Sequence, residues 1–82
     1  MVDIKIYITP TSPQCKDLKV WLKKKKLSFA EHDLIESDKA RDEVLEKSGQ
    51  LSTPVIDIDG KIVVGFNETA LTEIIENILK TP

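Results

Sequence analysis

Apolar residues change their repeat several times along this chain, and the order of those changes leaves few folds open. From Asp3 to Ile8 the sequence alternates, with Ile4, Ile6 and Ile8 on one side, which is the period of a half-buried strand. Thr9-Pro10-Thr11-Ser12-Pro13 interrupts it, because neither proline can donate to a ladder. Ser12-Pro13 is also a helix start: a hydroxyl at the N-cap, then proline at the first helical position with its φ already helical. From Pro13 to about Lys26, Cys15, Leu18 and Leu22 fall on one side of a helix. Lys23-Lys24-Lys25-Lys26 closes it, positive charge meeting the negative end of the dipole. That run reads first as a solvated helix end, and second as a docking patch for an acidic partner.

Leu27 to Leu34 is expected to form a second strand, parallel to the first across the helix. Ser37 or Asp38 caps a second helix reaching about Ser48, with Ala40, Val44 and Leu45 as its inner stripe and Gly49 as its stop. Thr53-Pro54 introduces the apolar strand Val55-Ile56-Asp57-Ile58. Asp59-Gly60 is a hairpin turn, and Lys61-Ile62-Val63-Val64 returns as a fourth strand. After Gly65-Phe66, Asn67 caps a last helix with Leu71, Ile74, Ile75, Ile78 and Leu79 in an amphipathic stripe. The order β-α-β-α-β-β-α predicts an α/β fold: a mixed four-stranded sheet with helices on both faces. Eighty-two residues, without linker or repeat, are expected to form a single domain over residues 1–82.

Composition narrows the function. Four aromatic residues (Tyr7, Trp21, Phe29 and Phe66) and a net charge of −2 argue against a dedicated nucleic-acid binder. No apolar run reaches secretory or membrane-spanning length, so the expected compartment is the cytoplasm. One cysteine, Cys15, rules out an internal disulfide framework and any site of several cysteines, and no metal is expected. His32 is the only histidine; with no companion ligand nearby it reads as a partly exposed strand residue. Trp21 reads as packing along the first helix.

Chemistry is expected where the first strand feeds the first helix, since in open α/β folds sites gather at the carboxyl ends of strands. Cys15 lies in that stretch, where backbone N–H groups and the helix dipole favour a thiolate. Ser12 at the N-cap stands nearer those donors, but a hydroxyl without an adjacent base is a poor nucleophile.

Tyr7-Ile8-Thr9-Pro10-Thr11-Ser12-Pro13-Gln14-Cys15 resembles the active-site stretch of glutaredoxin-like thiol-disulfide oxidoreductases, normally Cys-Pro-X-Cys. Ser52-Thr53-Pro54-Val55 is similar to their Thr-Val-Pro segment, and Asp59-Gly60 with Val64-Gly65-Phe66-Asn67 to their closing hairpin and glycine turn. The resemblance spans essentially the whole chain and implies a thioredoxin-like fold. It implies Ser12 at the position of the attacking cysteine and Cys15 at that of the resolving one. Thr11, Pro13, Gln14, Thr53, a cis Pro54, Gly65 and Asn67 would surround an extended peptide or glutathione. Thr53 would offer its backbone to the ligand, Gly65 would permit close approach, and Asn67 would meet the ligand's α-amino group or carboxylate. No bound cofactor is implied, with glutathione as co-substrate. The implied partners are glutathione or protein disulfides, with thioredoxin reductase or ribonucleotide reductase as further partners of a monomer.

The chain departs from that pattern at chemically decisive places. With Ser12 in place of cysteine (or selenocysteine) the mixed-disulfide step lacks its thiolate, so this form is expected to be inactive or strongly impaired. Either a replacement of the native residue or a natural redox-silent form, with Ser12 as N-cap, accounts for the serine. Thr9, Gln14 and Asn67-Glu68 also differ from residues frequent in glutathione-using members.

Overall fold

The alternating run at the start becomes β1 (Ile4–Ile8), and the Ser12-Pro13 signal opens α1 (Pro13–Lys24). The computed structural model describes residues 3–49 and 53–80, apart from the Lys80 side chain, so Ser52 of the proline motif lies outside the described residues. The chain continues through β2 (Ala30–Asp33), α2 (Asp38–Ser48), β3 (Val55–Ile58), β4 (Lys61–Val64) and α3 (Glu68–Lys80). The strands lie in the order β2-β1-β3-β4, with β1 parallel to β2 and antiparallel to β3, and β3 antiparallel to β4. The expected mixed four-stranded α/β sheet is what forms.

Strand alternation divides the interior into two layers. Ile4, Ile6 and Ile8 of β1 and Ile56 and Ile58 of β3 meet Cys15, Leu18, Trp21 and Leu22 of α1 and Leu71 and Ile75 of α3. Tyr7 and Val55 point the other way, against Leu34 and against Ala40 and Val44 of α2. Each large side chain buried in these layers contributes roughly 1.5–3 kcal/mol relative to exposure.

Two boundaries differ from the sequence reading. α1 ends at Lys24 rather than Lys26: the Lys26 N–H donates to the Lys23 carbonyl and the Leu27 N–H to the Leu22 carbonyl, both at 3.0 Å, with Lys26 at φ 59°. This closing motif commonly places glycine where Lys26 stands, and it folds Leu27 back onto the core. The second strand therefore starts at Ala30 rather than Leu27, because Leu27 is used to close the helix. The helix stripes are also narrower than expected. Leu45 (45% exposed) and Leu79 (64% exposed) sit at the margins of their helices and face solvent.

The hairpin turn and the side-chain cap of α2 form as expected, whereas Ser12 caps α1 without a side-chain hydrogen bond. Asp59 and Gly60 both adopt positive φ, as a two-residue hairpin requires. The Ser37 hydroxyl accepts from the Ala40 N–H at 3.1 Å at the start of α2, and Gly49 ends that helix at φ 76°. Trp21 is buried along α1, its ring edge toward Phe66 with centroids 6.1 Å apart.

A polar network fastens α2 to the sheet. The Lys47 ammonium donates to Asp57 Oδ2 at 2.7 Å and to the Tyr7 hydroxyl at 2.9 Å, while Tyr7 donates to Glu43 Oε2 at 2.9 Å. The Gly60 N–H donates to Asp57 Oδ1 at 2.8 Å, so both oxygens of this carboxylate (8% exposed) are satisfied. Burial pushes the Tyr7 phenol up, against the pull of Lys47. Its hydrogen bond holds the Glu43 carboxyl below the usual range. Burial works against ionised Asp57 as well, but Lys47 and the Gly60 N–H outweigh it and keep the carboxyl low. Hydrogen bonds to Asp57 and Tyr7 push the Lys47 ammonium well above its ordinary value. His32, opposite Tyr7 in register, stacks on the phenol ring with centroids 5.1 Å apart.

Candidate functional site at the tip of the first helix

The carboxyl end of β1, the tip of α1 and the lead into β3 converge. After Ile8 the chain turns so that the Ser12 N–H donates to the Thr9 carbonyl at 3.2 Å. Ser12 is the N-cap, in extended conformation, and its carbonyl takes the first helical bond, from Lys16 at 3.3 Å. Its side chain makes no capping hydrogen bond, unlike those of Ser37 and Asn67. Pro13 follows at the first helical position, where a missing N–H costs nothing. Ser12 is half-buried, and Thr11, Pro13 and Gln14 are exposed beside it.

Cys15 points the other way. At 2% exposure its thiol lies in the layer under α1 with Leu18 and Leu22, one helical turn beneath Ser12. The two members of the motif therefore occupy an outer and an inner position. His32 stacks with Tyr7, which faces the α2 layer, whereas Cys15 belongs to the opposite layer.

The second half of the site comes from far along the chain. The Thr53–Pro54 peptide bond is cis, as the resemblance implies. The Thr53 hydroxyl lies 3.3 Å from that of Thr9, tying this bend to the loop before α1. The Pro54 carbonyl accepts from the Gly65 N–H at 2.7 Å, so the end of β4 is fastened to the same bend. Gly65 has φ 85°, a region that penalises a side chain, although open space surrounds the position a Cβ would take. Asn67 opens α3, its Oδ1 accepting from the Ala70 N–H at 3.1 Å. Of the nine residues singled out from the sequence, hydrogen bonds join Thr53, Pro54 and Gly65 to Thr9, and through Thr9 to Ser12. Asn67's side-chain oxygen is engaged in its own cap.

One charged residue here went unnoticed in the sequence. Thr9 and Thr53 share an open cleft of about 350 Å³ with Leu34, Ile35 and Arg41. The Arg41 guanidinium donates to the carbonyls of Leu34 and Ile35 and pairs with Asp38. A cation on this wall suits an anionic ligand terminus, and its only advance signal is a lone arginine in the first turns of α2. Among the described residues no three of His, Cys, Asp or Glu are grouped to hold a metal ion. Among those residues, too, no helix is long and apolar enough to cross a membrane.

A four-stranded mixed sheet, a serine-to-cysteine motif at the first helix tip and a cis-proline bend beside it define a thioredoxin-fold protein. The Glutaredoxin family profile matches residues 4–63, and the chain belongs to that family. It is 45% identical over 73 residues to an uncharacterised glutaredoxin-like 8.6 kDa protein in the rubredoxin operon of Clostridium pasteurianum, covering 89% of this chain and 97% of that one. It is 31% identical over 68 residues to glutaredoxin 3 of Escherichia coli, covering 83% of this chain and 82% of that protein. The crystal structure of a glutaredoxin from Archaeoglobus fulgidus superposes with TM-score 0.82 at 30% identity, over 92% of this chain and 87% of that one.

Proposed function

We propose that this chain is a single-domain glutaredoxin-type carrier of thiol-disulfide exchange, acting in the cytoplasm on glutathione-containing or protein disulfides. Position 12 is its attacking position and Cys15 its resolving thiol. The observation that carries this is the hydrogen-bonded junction of Thr9, Thr53, Pro54 and Gly65, which fastens the cis-proline bend to the loop that leads into α1. With a thiolate at position 12, attack on a disulfide breaks its S–S bond, forms a protein–substrate disulfide and releases one thiolate. Attack by Cys15, or by a glutathione thiol, then releases the second. Two electrons have passed to the substrate, and a thiol reductant must restore the protein.

The Ser12 oxygen cannot take the first step, because an alcohol is not ionised near neutral pH and forms no S–O counterpart of the mixed disulfide under reducing conditions. Ser12→Cys is expected to reduce a small disulfide at least about tenfold faster than the serine form, a barrier difference of roughly 1.4 kcal/mol. Equal rates would overturn the reading. Thr11, Pro13 and Gln14 flank the incoming disulfide, and Arg41, though paired with Asp38, offers a guanidinium to a carboxylate-bearing ligand such as glutathione.

A second reading is supported by the bend being assembled with serine at the tip: a redox-silent module that holds glutathione or an extended peptide. Titration with glutathione, watched at the amides of Thr53, Gly65 and Asn67, separates the two. Binding with no turnover in the cysteine variant selects the module, and silence at all three amides removes it. For an active cysteine variant, the enzyme that recycles it, thioredoxin reductase among them, and its support of ribonucleotide reductase identify its place in electron delivery.

A further inference from the structure

α1 and its closing turn carry a concentration of charge that the oxidoreductase reading leaves unused. Between Pro13 and Lys26 lie six of the chain's twelve Lys and Arg residues but one of its fourteen acidic residues, although the whole protein is net negative. Lys16, Lys23, Lys24, Lys25 and Lys26 are exposed, and Lys19 is partly engaged by Glu31 at 3.4 Å. A helix C-terminus carries only about half a negative charge, so it does not account for six lysines.

The same face carries exposed apolar surface. Val20 is 58% exposed, and beside it runs a groove of about 280 Å³ lined by Asp17, Val20, Trp21, Lys24, Phe66 and Glu68. An apolar floor with aromatic residues and a charged rim is the usual anatomy of a protein-binding patch. The rim is not uniform: toward α3 it turns acidic, with Glu68, Glu73 and Glu76 exposed. An extended anionic surface, such as a membrane or a nucleic acid, would meet those glutamates too. A short segment laid along α1 meets of these only Glu68, at the groove where its apolar anchor sits, besides Asp17 of α1 itself.

We propose that the outward face of α1 docks an acidic segment of a protein partner, anchored by an apolar side chain beside Val20, and so presents that partner's disulfide at the α1 tip. The delivery step rests on the oxidoreductase reading; the docking does not. At about 1.5 Å rise per residue, Lys16 and Lys24 lie roughly 6 Å and 18 Å along the helix from Ser12, within the span of six extended residues.

The test uses two synthetic twelve-residue peptides, each with a leucine and one cysteine capped as a disulfide with mercaptoethanol, one rich in glutamate and the other in lysine. Added to the Ser12 protein at low salt, the acidic peptide is expected to shift the amides from Lys16 to Lys24 and the Val20 methyls, and the basic one is not. The shifts should vanish at high salt, and Lys23→Gln with Lys24→Gln should weaken binding about 3- to 10-fold. Equal binding of the two peptides, shifts confined to other faces, or no effect of the lysine changes would overturn the proposal. Binding to phosphatidylserine vesicles without binding to the acidic peptide would also overturn it, assigning the face to lipid. Ser12→Cys turnover of hydroxyethyl disulfide is read separately. If it fails while the acidic peptide still binds, the docking stands and the oxidoreductase reading falls; if it succeeds while the peptides bind alike, the docking alone falls.

Discussion

Removing one ammonium should expose how much the α2 anchor contributes to stability. Lys47→Met keeps the length and most of the volume of the side chain but deletes the charge that meets Asp57 at 2.7 Å and Tyr7 at 2.9 Å. Losing one partner of a buried ion pair costs about 3–5 kcal/mol. The Lys47 and Asp57 side chains are 27% and 11% exposed, and Asp57 keeps its bond from Gly60, so a loss of about 2–3 kcal/mol is the appropriate expectation. For a domain of this size that lowers the melting temperature by roughly 8–24 °C.

The pH dependence fixes the mechanism. Asp57 has a folded pKa below its unfolded value, so its contribution is present above about pH 4 and fades as acid protonates it. Lys47 has a raised folded pKa, so its contribution is complete below about pH 10 and is lost only in strong base. Urea denaturation of both proteins from pH 7 down to pH 2.5 should therefore show a difference that is largest at neutral pH and shrinks in acid. A Lys47→Met protein as stable as the parent at pH 7, or a difference undiminished in acid, would refute the argument.

Two further outcomes follow from helix ends and turns. Ser37→Ala should cost about 1 kcal/mol by freeing the Ala40 N–H, whereas Ser12→Ala, with no capping bond to lose, should cost less than about 0.5 kcal/mol; paired chemical denaturations decide, and equal losses contradict the geometry. Gly65→Ala should destabilise by about 1 kcal/mol through its positive φ alone, since a Cβ there meets nothing within 4 Å, and thermal melting showing no loss would place the backbone elsewhere.

What the sequence made legible was local. Alternation exposed β1 and β3, Asp59-Gly60 placed the hairpin, and Ser37 and Asn67 announced their helices because each acts on neighbours three residues away. The Ser12–Cys15 stretch and Thr53-Pro54 could be paired only through resemblance, since 44 residues separate the hydroxyls of Thr9 and Thr53. The Tyr7–Glu43–Lys47–Asp57 network left no trace in any periodicity: its members come from β1, α2 and β3, and a lysine on an amphipathic helix looks like surface until the strand beneath it is known. Arg41 escaped for the same reason. Leu45 and Leu79 misled in the opposite sense, because an apolar residue at the margin of a helix stripe satisfies the repeat while remaining wet.

Because the oxygen of Ser12 holds nothing in place, the first helix is indifferent to which light or heavy chalcogen stands at its entrance. Its start is secured by the proline that follows and by the thiol-bearing layer below. An exchange of the side chain at position 12 is therefore expected to leave the fold unaltered, so that the scaffold and whatever reaction it carries are separable properties.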